Sequence, residues 1–125
     1  MLKYIELKTG FDDDGPAWIA DVTVSKSGRT IYFNGMALKR AGASLTGSYL
    51  DVRTRDEYWV AGVKRRGTNR HRAGPGPIMV AAAAVPELLA HLGEATLDTT
   101  RFVVTDSIEP TGPADFHGHE HPTGD

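Results

Sequence analysis

Short runs in which every second residue is apolar, separated by clusters of Gly, Pro, Asn, Asp and Ser, recur through most of this chain. That period of two is what a β-strand with one buried face requires. Tyr4 to Lys8 alternates, with Ile5 and Leu7 on one face and Tyr4, Glu6 and Lys8 on the other, and predicts a short half-buried strand. Thr9 to Pro16 carries Gly10, three consecutive aspartates and Gly15-Pro16, the turn formers and breakers of a loop. Ala17 to Ser25 then sets Trp18, Ala20, Val22 and Val24 opposite Asp21, Thr23 and Ser25, a second strand with Trp18 in the core. A glycine-containing turn at Ser25 to Arg29 leads into the β-branched and aromatic run Thr30 to Asn34, so these two strands form a hairpin.

Asn34-Gly35 suits a tight turn, but Met36 to Arg40 is too short and too mixed to assign, and Ala41 to Thr46 reads as loop. Tyr49 to Arg53 and Glu57 to Val63 flank the polar Thr54-Arg55-Asp56 and predict a second hairpin. Ala73-Gly74-Pro75-Gly76-Pro77 blocks regular structure, and Ile78 to Val80 reads as a further strand. Pro86 falls where a first helical turn tolerates it, Val85, Leu88, Leu89 and Leu92 follow at helical spacing, and Gly93 stops the helix. Arg101 to Val104 supplies a last strand. The expected fold is mainly β: a small antiparallel, partly open barrel or curled sheet, with one short helix near the C-terminal end covering an open end or face. Residues 1–106 form this single domain. Residues 107–125 are acidic and rich in His, Pro and Gly with little to bury, and are expected to be a flexible tail.

With 125 residues the chain is long enough to bury a core. It has no cysteine, which excludes disulfides and thiolate metal sites and suits a cytoplasmic protein. Neither a signal peptide nor an apolar run of membrane-spanning length, about 20 residues, is present. No membrane partner is therefore expected.

The net charge of −2 conceals a segregation. Residues 1–93 carry 13 Lys/Arg against 9 Asp/Glu, net +4, and residues 94–125 carry 1 against 7, net −6. From Lys26 to Arg72 there are 11 basic residues against Asp51, Asp56 and Glu57, an excess of +8. The densest part, Lys64-Arg65-Arg66-Gly67-Thr68-Asn69-Arg70-His71-Arg72, follows the strand that carries Tyr58 and Trp59. So self-repulsive a segment either lies solvated or waits for an anion.

The strings Lys3-Tyr4-Ile5-Glu6-Leu7-Lys8-Thr9-Gly10, Gly15-Pro16-Ala17-Trp18-Ile19, Ser25-Lys26-Ser27-Gly28-Arg29-Thr30-Ile31-Tyr32-Phe33-Asn34 and Tyr58-Trp59-Val60-Ala61-Gly62-Val63-Lys64, with Arg70-His71, resemble a group of small uncharacterised bacterial proteins. Some of these carry a deoxyxylulose-phosphate synthase label. The resemblance covers roughly Lys3 to Leu92 and implies no established activity. This chain is one small domain without a thiamine-binding motif.

Cations beside aromatic rings are what single-stranded nucleic-acid sites use, the cations for phosphates and the rings for stacked bases. Lys64, Arg65, Arg66, Arg70, Arg72 and Tyr58 form the expected nucleic-acid-binding set. Alternation permits only one of Tyr58 and Trp59 on each face, so one is core. A competing reading is a protein-interaction module, antitoxin-like or immunity-like, that sets the same cations against an acidic partner. A third is a metal-independent ribonuclease in which His71, kept neutral by Arg70 and Arg72, takes the 2′-hydroxyl proton while Arg70 or Lys64 stabilises phosphate charge, with Tyr58 or Glu57 as the general acid.

Asp12-Asp13-Asp14 lacks the spacing of a calcium loop and reads as solvated. His117, His119 and His121 could chelate Zn²⁺ or Ni²⁺ from one side of an extended segment, though flexible tails of this composition also bind metal adventitiously. No phosphate-binding loop occurs and no cofactor is implied. The acidic tail could also lie on the basic face and mask it, and the edge strand of such a sheet offers a route to a homodimer.

Overall fold

The computed structural model describes residues 1–8, 16–41, 48–65 and 77–116. Strand β1 (Leu2–Leu7) runs through the middle of the sheet, antiparallel to β2 (Ala17–Asp21) on one side and to β7 (Glu57–Gly62) on the other. Tyr4, Ile5 and Glu6 are all fully buried. The half-buried strand expected from alternation is therefore covered on both faces, because the sheet curls over one face while helix and loop segments pack on the other. The remaining strands are β3 (Thr23–Val24), β4 (Thr30–Phe33), β5 (Met36–Arg40), β6 (Ser48–Asp51), β8 (Ile78–Ala81) and β9 (Phe102–Thr105). They lie in the order β3-β4-β5-β6-β7-β1-β2-β8-β9 as one curled, open half-barrel.

Both expected hairpins form, β3 with β4 across the turn at residues 25–29 and β6 with β7, and a third joins β4 to β5. Asn34 (φ 48°) and Gly35 (φ 78°) make the two-residue left-handed turn between β4 and β5, which turns the unassigned Met36–Arg40 into a strand paired along its length with β4. Between β6 and β7, the buried Asp51 accepts hydrogen bonds at Oδ1 from the backbone N–H groups of Arg53 (2.8 Å) and Thr54 (3.4 Å). Arg55 then takes φ 69° to reverse the chain. The pairings β2–β8 and β8–β9 depart from the antiparallel expectation: both are parallel. For β8–β9 the cause is the connection, since β8 reaches β9 through a 3-10 turn (Ala82–Ala84) and α1 (Val85–Leu92), and a crossover of that length returns the chain in the same direction.

Two cores result. Inside the curl, Ile5, Ala20, Val22, Ile31, Phe33, Leu38, Tyr58 and Val60 pack together, with Trp18 edge-on to Phe33 at 5.6 Å between centroids. On the outer face, Leu88 of α1 is fully buried against Tyr4, Ile19, Val80, Ile78 and Phe102. Pro86 starts α1 and Gly93 (φ 71°) ends it.

The expected boundary at residue 107 is displaced. Ile108 packs against the inner core, Glu109 N–H donates to Asn34 Oδ1 (2.9 Å), and Gly35 N–H donates to Thr111 Oγ1 (2.6 Å). Phe116, 1% exposed, closes over Tyr32 and Ala37 on the outer face, with the Arg53 guanidinium 4.5 Å from its ring centroid. A segment this poor in apolar residues is held by two anchors eight residues apart and by side-chain hydrogen bonds to the β4–β5 turn. Residues 117–125 lie outside the described residues. No helix among the described residues is long and apolar enough to cross a membrane.

Candidate functional site

The basic segment leaves the sheet at the end of β7. Val63 is buried in the outer core, and because its carbonyl oxygen can only accept, the His91 Nε2 that lies 2.7 Å from it carries the proton. Helix α1 thereby fixes the point from which Lys64 and Arg65 project, both exposed. Sequence reasoning missed His91, whose only mark is a polar side chain in the last turn of an amphipathic helix. Arg66, Arg70, His71 and Arg72 lie outside the described residues, as do Asp12 to Asp14, His117, His119 and His121. Among the described residues no three His, Asp or Glu side chains stand close enough to share a metal.

The expected stacking residue Tyr58 is corrected. The curl turns Tyr58 and Val60 inward, so Tyr58 is only 6% exposed and its hydroxyl donates to Met36 Sδ at 3.3 Å. Burial raises the pKa of its phenol, and the carboxylates of Asp51 and Asp56 raise it further. Tyr58 can neither stack on a base nor serve as a general acid near neutrality. Glu57, the other proposed acid, opens β7, whereas Lys64 follows its end; the strand between spans about 16 Å at about 3.3 Å per residue.

Trp59 takes the outward position. It is half-buried on the outer face, in register with Glu6 of β1 and Ser48 of β6. Lys8 Nζ lies 5.7 Å from its ring centroid and donates to Ser48 Oγ at 2.9 Å. Lys39 and Leu50, paired across β5 and β6, stand on the same face and are partly exposed. This stretch lies between the part of the outer face covered by α1 and the part covered by Phe116. Beneath it Glu6 is fully buried and accepts a hydrogen bond from the Tyr4 hydroxyl.

The +8 segment is not one patch. Arg53 and Arg55 sit on the β6–β7 turn, at the opposite end of β7 from Lys64 and Arg65. Arg29 and Arg40 are neighbours, with Arg40 N–H donating to the Arg29 carbonyl oxygen at 2.8 Å, and Lys26 lies in the same β3–β4 turn. All five of Lys26, Arg29, Arg40, Arg55 and Arg65 are exposed, and among the described residues none of them stands in an ion pair.

A cleft of about 250 Å³ opens where Ile108 and Glu109 cross the ends of β2 and β4. The alanines Ala20 and Ala84 leave the room, Phe33 forms part of the wall, and among the described residues the charged side chains lining it are Glu109 and Asp21, the latter paired with the N-terminal ammonium of Met1. No protein-family model matches the chain, and neither a curated protein nor a solved structure shows significant similarity to it.

Proposed function

We propose that this domain is a non-catalytic binding module for a polyanion, single-stranded RNA or DNA, with the strand lying on the outer face across β7. Trp59, in place of Tyr58, stacks on a base. Lys8 and Lys39 meet phosphates beside it, and Lys64 and Arg65, with Arg66, Arg70 and Arg72 of the same segment, extend the contact along the backbone. The observation that supports this reading is the juxtaposition of the half-buried Trp59 ring with the Lys8 ammonium, 5.7 Å from its centroid, beside the partly exposed Lys39 and Leu50. A flat π surface and a cation at that spacing are the two elements that sequence-tolerant strand binding combines. Exposed arginines without ion pairs supply the long-range attraction.

Fluorescence polarisation of a labelled mixed single-stranded oligonucleotide, titrated at several salt concentrations, tests the reading. The expected result is binding that weakens steeply with salt, with Lys8→Gln and Arg65→Gln each lowering the slope of log K against log salt by about one. Trp59→Leu is expected to lose about 1–3 kcal/mol of affinity. Binding indifferent to salt, or unchanged in all three variants, overturns the proposal.

A further inference from the structure

The two edges of the sheet are unequal. On one side it ends in β3, two residues long, and on the other in β9, four residues long. Natural sheets guard an edge with lysine, proline, a bulge or extreme shortness. Phe102-Val103-Val104-Thr105 contains neither lysine nor proline. Val103 is 47% and Val104 51% exposed, and among the described residues the only other exposed large apolar side chain is Met1.

The direction of the backbone groups follows from the ladder. Ile78 N–H donates to the Arg101 carbonyl oxygen at 2.9 Å, and Ile78 is in parallel register with Phe102. Residues 101, 103 and 105 therefore turn their backbone groups toward β8, while Phe102, Val104 and Asp106 turn theirs outward. Phe102 N–H is already taken by the Asp98 carbonyl oxygen at 3.0 Å. The outer edge thus presents the Phe102 carbonyl, both backbone groups of Val104 and the Asp106 N–H.

We propose that β9 pairs antiparallel with β9 of a second copy of this chain, across a twofold axis at Val104. A twofold axis normal to a sheet keeps each side chain on its own face, so opposed residues must be an even number of positions apart. The outward groups of Val104 then make it face its own copy as a hydrogen-bonded pair. In this register Phe102 opposes Asp106 of the partner subunit, whose N–H points at the Phe102 carbonyl. The Arg101 guanidinium rests 5.0 Å from the Phe102 ring centroid, so it stands on the side where that partner carboxylate arrives. Symmetry repeats the ion pair on the other side of the axis. An edge whose own flanking charges complement each other about Val104 fits a second copy better than an unrelated strand. A net charge of −2 per chain opposes the approach only weakly.

So short a ribbon buries less than the roughly 1,200 Å² of the smallest standard interfaces, and the association is therefore reversible. Sedimentation velocity on the full chain, from about 10 µM to about 1 mM, is expected to show monomer giving way to dimer. Val104→Lys sets two like charges face to face on the axis and is expected to weaken the dimer more than tenfold. Its side chain is half-exposed, so thermal unfolding should be near that of the wild type. Arg101→Glu weakens the dimer, and Arg101→Glu combined with Asp106→Arg restores it. A wild type that stays monomeric throughout, a dimer indifferent to Val104→Lys, or no restoration in the charge-swapped pair each overturns the proposal.

Discussion

His91 reaches from the last turn of α1 to the carbonyl oxygen of Val63, 2.7 Å away, one residue before the basic segment begins. The bond ties the one α-helix among the described residues to the strand end that launches Lys64 and Arg65. Changing His91 to Ala leaves a partly buried carbonyl without its donor and is expected to cost about 1–3 kcal/mol. Arg65→Gln, at an exposed residue with no ion pair, should stay within about 0.5 kcal/mol of the wild type. Urea unfolding of the two variants checks the contrast, and faster amide exchange at Lys64 in His91→Ala would locate the loosening at the root of the segment.

Phe116 closes a separate small cluster with Tyr32 and Ala37 on the outer face, so shortening the chain has two different consequences. Ending it after residue 107 removes Ile108 and Phe116 and should destabilise it by at least the cost of Phe116→Ala, about 3–5 kcal/mol. Ending it after Phe116 keeps both anchors and should leave thermal unfolding nearly unchanged. The shorter truncation is therefore the one that tests whether the acidic tail masks the cations: if it does, removing residues 117–125 strengthens oligonucleotide binding.

Much of the fold was legible because β periodicity and turn chemistry agree, as at Asn34-Gly35, whose left-handed pair forces the hairpin that Met36–Arg40 could not announce alone. What alternation could not supply was its phase. Tyr58 and Trp59 are equally good strand residues, and only the direction in which the sheet curls decides that Tyr58 lines the interior and Trp59 the outside. The candidate site inherits that ambiguity. Residues 108–116 were unreadable for another reason: their hold on the domain lies in Asn34, Gly35 and Thr111 hydrogen bonds and in one distant phenylalanine, none of which has a period. The parallel strands were hidden because pairing β2 with β8 joins segments that are far apart in sequence.

Tyr58 makes stability depend on alkaline pH. Burial first, and the charges of Asp51 and Asp56 second, raise its pKa above the ordinary 10.0. The folded state therefore keeps a proton that the unfolded state releases. This contribution is fully present below about pH 10 and is lost as pH rises through the higher folded-state value. Tyr58→Phe, which keeps the ring and removes the titration, should flatten the fall in stability above pH 10 in denaturant unfolding. Near neutrality it should cost at most about 1 kcal/mol, because the bond to Met36 Sδ is a weak one.

Asn34 performs two tasks, which substitution can separate. It tolerates φ 48° in the β4–β5 turn, and its Oδ1 accepts the Glu109 N–H that begins the crossing segment. Asn34→Gly keeps the backbone freedom and removes the acceptor. The expected loss is about 0.5–1.5 kcal/mol, with accelerated exchange of the Glu109 amide. Asn34→Ala removes the acceptor and also places an ordinary side chain in the left-handed region, for a further cost of about 1–2 kcal/mol. If the two variants are equally stable, the turn conformation carries no penalty. If Asn34→Gly matches the wild type in both stability and Glu109 exchange, this bond does not hold the crossing segment in place, and Ile108, Phe116 and the Gly35–Thr111 bond anchor it.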